Sequence, residues 1–263
     1  MQKKKRNRQN VQENKRNKMS HEDRTNSGTR QIVEEQRTKR EEYKLDWFKP
    51  TETQKDIIYS MIQDDLTLVQ GSSGCGKSTT IIWQALKDLK AGVYDKIVFV
   101  KTPVESTDDG IGFLPSTIDD KLMSHFEASK SIFHNFMSPA KLEMDIKHEK
   151  ILFKIPNFIQ GCTLDNTLLI IEEAQQISPP ILKLVMERIG KNGAKVVVLG
   201  DKNQQYALKK RPNGFTDFVE KVTDVDEEGR YSKIPTIGYV EMTAKDNMRS
   251  DLSKLIVSIY EEE

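Results

Sequence analysis

Residues Gly71 to Thr79 read GSSGCGKST and fit G-x-x-x-x-G-K-[S/T]. This pattern constrains the fold more than any other feature, because a loop of this kind works only between a buried strand and the start of a helix. The flanks agree: Leu66 to Gln70 is a short apolar run of strand character, and a helix is predicted from Lys77 to about Lys90, closed by Gly92. The glycines let the backbone turn its N–H groups inward, and the helix adds its free N-terminal donors and the positive end of its dipole. The loop, made by Gly71, Ser72, Ser73, Gly74, Cys75, Gly76, Lys77, Ser78 and Thr79, is therefore expected to bind the phosphates of a nucleotide such as ATP. Lys77 would neutralise the β- and γ-phosphates, and the Ser78 hydroxyl would sit on a Mg2+ ion shared with them.

Four further runs read as strands: KIVFV (96–100), TLLII (167–171), KVVVL (195–199) and Thr236 to Met242, with a short fifth candidate at Lys150 to Ile155. Helices are predicted at 52–63, at 118–136, from about Ser178 to Ile189 with Pro179 in its first turn, and at 251–260. In the first of these, Thr51 is the expected N-cap and Ile57, Ile58, Met61 and Ile62 the buried face. Strands alternating with helices imply an α/β fold with a mostly parallel sheet covered on both faces. The 263 residues suit one such domain from residue 47 onward. Residues 1–46 form a separate arm, rich in Lys, Arg, Asn, Gln and Glu and poor in aliphatics, for which disorder is expected. Its first 40 residues carry 13 Lys and Arg against 5 Asp and Glu, so the net charge of +1 joins a basic arm to an acidic body. A basic arm can touch nucleic-acid phosphates or simply aid solubility.

Two cysteines make no disulfide framework, no Cys/His spacing suits zinc, and neither a secretory signal nor a membrane-length apolar run is visible. A soluble protein of the reducing cytoplasm, without a membrane partner, is expected.

Chemistry is expected at the strand ends. Glu172 and Glu173 follow TLLII, where the strand paired with the loop-bearing one should end beside the phosphates. Adjacent residues point opposite ways, so Glu172 is assigned to the metal and Glu173 to the attacking water. Gln204, in GDKNQ after the next strand, can sense the γ-phosphate; Gln54, in the first turn of the first helix, can read an adenine edge with donor and acceptor together. Arg249, after the last strand, is a candidate for neutralising transition-state charge.

Taken in order, GSSGCGKST, KTPVES with IGFLPS, GCTLDNTLLIIEEAQ, MERIG, GDKNQ and NMRS resemble the PhoH family of phosphate-starvation-inducible ATPases, and through it the first motor domain of superfamily 1 helicases. The resemblance covers about Thr51 to Ser250. It implies a RecA-like core, ATP hydrolysis, Gln54 as the adenine-reading glutamine, and Lys77, Ser78, Glu172, Glu173 and Gln204 in the roles given. The family usually carries Asp-Glu at Glu172-Glu173, and arginines where this chain has Gln160 and Cys162. With one RecA-like unit in the sequence, the resemblance implies a homo-oligomeric ring, a hexamer, with Arg249 acting within its own subunit and Arg188 reaching a neighbour's site. Two readings follow: a Mg-dependent ATPase moving on RNA or single-stranded DNA, and an ATP-switched regulator that moves no strand. A small-molecule kinase would need an acceptor site that is not identifiable.

Overall fold

The structure is a computed structural model that describes residues 42–102, 126–159, 161–202, 204, 213–227, 229–248 and 250–261. Contacts of the folded unit begin at Tyr43, whose hydroxyl donates to Asp145 Oδ2 at 2.8 Å, and at the buried Leu45. Residues 1–41 and 103–125 lie outside the described residues, and with them the arm, the loop expected after KIVFV and the first part of the helix expected from 118.

Six strands form one sheet: β1 (Leu66–Gln70), β2 (Lys96–Lys101), β3 (Ile151–Lys154), β4 (Thr167–Glu172), β5 (Lys195–Gly200) and β8 (Ile237–Glu241). Their order is β3-β2-β4-β5-β1-β8 and all five pairings are parallel. Parallel strands need both faces covered, and the side-chain alternation supplies two apolar faces. On one, Val69, Ile97, Phe99, Leu168, Ile170, Val197 and Leu199 pack against α1 (Glu52–Gln63), α2 (Lys77–Ala91), α3 (Glu127–His134) and α4 (Pro139–Lys147). On the other, Leu68, Val98, Val100, Leu169, Ile171, Val196 and Val198 meet α5 (Pro179–Met186) and α6 (Gly214–Val222) through Leu182, Val185, Phe215 and Val219. Each such aliphatic contributes about 1.5–3 kcal/mol by leaving water, so a register slip of one residue is heavily disfavoured. A hairpin of β6 (Thr223–Asp226) and β7 (Gly229–Ser232) and a last helix, α7 (Asp251–Glu261), complete the described chain.

Of the stretch expected as one helix over 118–136, residues 118–125 lie outside the described residues and the rest is helical at Glu127–His134. Other sequence expectations need correction or extension. A separate helix, α4, then starts because the Ser138 side chain accepts the Lys141 N–H and Pro139 occupies its first turn. Ile62 is 54% exposed while Ile57 and Met61 are buried, because α1 meets the sheet along the line of Gln54, Ile57, Ser60 and Met61. Finally, β4 is not hydrogen-bonded to β1: β5 lies between them. Residues 214–232, which carry α6 and the hairpin, gave no prediction.

The register sets the site. Gln70 of β1 lies level with Gly200 of β5 and Glu241 of β8, and Lys101 of β2 lies level with Glu172 of β4. All these carboxyl-terminal ends meet on one edge of the sheet, where α/β folds place ligands.

Candidate nucleotide site

Thr51 caps α1 reciprocally: its side chain accepts the Gln54 N–H, and its own N–H donates to Gln54 Oε1 at 3.0 Å. This fixes Gln54 as a buried residue beside the phosphate loop, with Nε2 donating to Met248 Sδ at 3.3 Å. The loop passes from β1 to α2 through Gly76, which is left-handed at φ +80, and a Cβ there would stand 2.8 Å from Gln54 Nε2. Glycine is therefore required at Gly76 on two counts, dihedral and space. No side chain caps α2, so its first N–H groups remain donors for an anion.

Lys77 Nζ donates to the carbonyls of Gly71 and Ser72 at 2.5 and 2.8 Å. Burial pushes its pKa down, opposed by the charges of Asp201 first and then of Cys75, Glu173 and Glu172. Such an ammonium lacks full compensation, and incoming phosphate oxygens would supply it.

Ser78 bridges the gap left by the intervening strand: its hydroxyl donates to Glu172 Oε1 at 2.6 Å. Glu172 is 6% exposed, and its other oxygen accepts from Ser129 Oγ at 3.0 Å and from Lys101 Nζ at 3.1 Å. The carboxylate is thus anchored through Oε2, with Oε1 facing the loop. Glu173 adopts a left-handed backbone at φ 54, uncommon for a residue with a Cβ. Gln175 holds it, donating from Nε2 to Glu173 Oε2 at 2.5 Å while its Oε1 accepts the Asp201 N–H at 3.1 Å. The turn after β5 is tied in as well, since Gln204 N donates to Asp201 O and the Gln204 carbonyl accepts from Gln176 Nε2.

A cleft of about 560 Å³ brings together Gln54, Ser73, Gly74, Gly76, Lys77, Ser78, Thr79, Glu172, Glu173 and Gln204. Gly71 and Ser72 stand behind it and meet Lys77 through their carbonyls, and Cys75 is buried with Sγ toward Thr243 O. Arg188, whose Nε donates to Leu184 O, is not among the cleft's lining residues. Arg249 lies outside the described residues. Sequence reading gave no role to Lys101, Ser129, Gln175 and Asp201. Three of them stand inside the quoted motifs; Ser129 had no local signal.

Among the described residues no group of three or more His, Cys, Asp or Glu could hold a metal ion, and no helix is long and apolar enough to cross a membrane. The donors that do converge, Ser78 Oγ and Glu172 Oε1, are hard oxygens on one side of the phosphate loop. They fit magnesium, which takes one or two protein oxygens and completes its octahedron with phosphates and water.

Residues 49–261 match the family described as PhoH-like protein. Among curated relatives, the PhoH-like protein of Bacillus subtilis (strain 168) is 26% identical over 210 residues, covering 80% of this chain and 62% of its own length. Protein PhoH of Escherichia coli (strain K12) is 25% identical over 211 residues, covering 80% and 56%. The chain thus spans roughly 60% of the length of the curated relatives it matches. Among solved structures, the large terminase ATPase domain of Thermus phage P74-26, in a point-mutant form, aligns with a TM-score of 0.47 at 14% identity over 76% of this chain and 83% of that one. The helicase domain of Pyrococcus furiosus Hef aligns with a TM-score of 0.42 at 15% identity, over 76% and 39%.

Proposed function

The chain belongs to the PhoH-like family, and from that premise we propose that it is a Mg-dependent ATPase, acting on RNA or single-stranded DNA as a helicase-like homo-oligomeric motor in the cytoplasm. The observation that carries the ATPase reading is the 2.6 Å contact between Ser78, in the first turn after the phosphate loop, and Glu172, at the end of a strand two positions away in the sheet. Sequence separation of 94 residues makes this a tertiary arrangement, and its chemistry suits a phosphate-bound cation.

In this reading the triphosphate lies along the loop and the N-terminus of α2, and Lys77 exchanges its carbonyl partners for β- and γ-phosphate oxygens. Ser78 Oγ and Glu172 Oε1 would hold magnesium, which when bound draws charge from the phosphate oxygens. Ser129 and Lys101 hold Glu172 Oε2 in place and leave Oε1 to Ser78. Glu173 accepts a hydrogen bond from the attacking water and takes its proton as the bond to the γ-phosphorus forms and the bond from that phosphorus to the β–γ bridging oxygen breaks, with ADP leaving and Gln175 holding the carboxylate in place. Gln204 reports loss of the γ-phosphate to the turn after β5, which is bonded to the segment carrying Glu173. Arg249 would neutralise transition-state charge within its own subunit, and Arg188 a neighbour's in a hexameric ring.

The experiment is ATP turnover by the full chain with and without single-stranded RNA and DNA. A rise of severalfold with either polymer supports the motor. Turnover that neither polymer changes overturns it in favour of a nucleotide-controlled switch.

A further inference from the structure

Trp47 is held rigidly yet left bare. Its ring stacks on the fully buried Phe136 at 5.3 Å and 16°, meets Phe48 edge-on at 5.7 Å, and donates from Nε1 to Asn135 O at 3.2 Å. One face and the polar edge are therefore in use, but the residue is 55% exposed. A tryptophan recruited only for packing would hide more of its large apolar surface.

The uncovered ring also lines the cleft that contains Lys77, Ser78 and Glu172. The same cleft is lined by Phe48, Ile132, Gln54 and Met248, the last 59% exposed. The cleft therefore joins cations and N–H donors at the loop to a flat aromatic surface with apolar neighbours. A nucleoside triphosphate combines the same two chemistries.

Resting on the nucleotide reading of this site, we propose that Trp47 is the stacking platform for the base of the bound nucleoside triphosphate. The ring is already fixed by Phe136, Phe48 and Asn135, so little side-chain freedom is lost when a base docks. Stacking favours the larger purines over pyrimidines without separating adenine from guanine, because every base presents a π-face. Any choice between the purines falls to the Gln54 carboxamide. The base of a single-stranded nucleic acid could use the same chemistry, but Trp47 shares its cleft with the phosphate loop, which favours the nucleotide.

The chain has two tryptophans, so Trp83→Phe leaves Trp47 as the only indole reporter. In that background, fluorescence and calorimetric titrations with ATP, GTP, inorganic tripolyphosphate and a short oligothymidylate test the assignment. ATP and GTP are expected to quench Trp47, whereas tripolyphosphate binds without quenching. Trp47→Leu, which still covers Phe136, should weaken ATP about tenfold or more and leave tripolyphosphate within about twofold, with Trp47→Tyr recovering most of the loss. Unchanged ATP affinity in Trp47→Leu overturns the proposal. Equal losses for ATP and tripolyphosphate overturn it too, by making Trp47 a structural residue. Quenching by the oligonucleotide and not by ATP assigns the face to nucleic acid and also overturns it. Failure of the Trp47-containing protein to bind either ATP or tripolyphosphate is a different result, which removes the nucleotide reading itself.

Discussion

Replacing Gly76 by alanine isolates the geometry of the phosphate loop. The left-handed backbone at φ +80 costs a residue with a Cβ about 1 kcal/mol or somewhat more. The new Cβ would also stand 2.8 Å from Gln54 Nε2, so that carboxamide must move. Moving it loosens the reciprocal Thr51–Gln54 cap of α1, worth about another 1 kcal/mol. The total is about 2–3 kcal/mol, which for a folded unit of this size lowers the melting temperature by roughly 4–12 °C. Gly92→Ala is the matched control. It too is left-handed, at φ +74, but nothing stands within 4 Å of its added Cβ, so only the backbone cost applies, roughly 2–4 °C. Thermal unfolding followed by circular dichroism compares the two, together with Gly76→Ala in a Gln54→Ala background. The contact predicts that removing Gln54 reduces the Gly76→Ala cost to that of Gly92→Ala. Equal losses for the two single glycine variants, or no relief from Gln54→Ala, would refute the reasoning.

Glu173→Gln should retain ATP affinity in calorimetry and lose at least about a hundredfold in turnover, since an amide keeps the shape but cannot take a proton from water. Normal turnover there, with a dead Glu172→Gln, would exchange the two roles. Gln175→Leu should lower turnover about tenfold or more through a misplaced Glu173 and leave the ATP dissociation constant within about threefold. A variant that instead loses affinity and turnover together would make Gln175 a binding residue.

Local chemistry made part of this site legible. The phosphate loop announces itself because its glycines and its strand-to-helix context are local requirements, and Gly76 shows both at φ +80 and in its approach to Gln54. Apolar runs such as TLLII were legible for the same reason, since a strand covered on both faces has no polar positions to spare. The strand order was not. Nothing in the composition of β5 says that it lies between β1 and β4, so the reach of Ser78 across it to Glu172 appears only in three dimensions. Lys101 and Ser129 were hidden likewise, being 71 and 43 residues from the carboxylate they anchor. Trp47 was read as the start of the folded part, and its bare face depends on the distant Phe136 and Asn135. The helix expected over 118–136 is met in its described part by Glu127–His134, while the helix that starts at Ser138-Pro139 was not read.

The measurement closest to the central claim is phosphate release from ATP with magnesium by the purified full chain and by its Lys77→Ala variant, each checked for folding. The account predicts turnover in the wild type and a loss to below about a tenth in the variant, because Lys77 is the part-buried cation of the phosphate loop. A folded Lys77→Ala protein that hydrolyses ATP at more than about a tenth of the wild-type rate would contradict the assignment of this cleft as the site of hydrolysis.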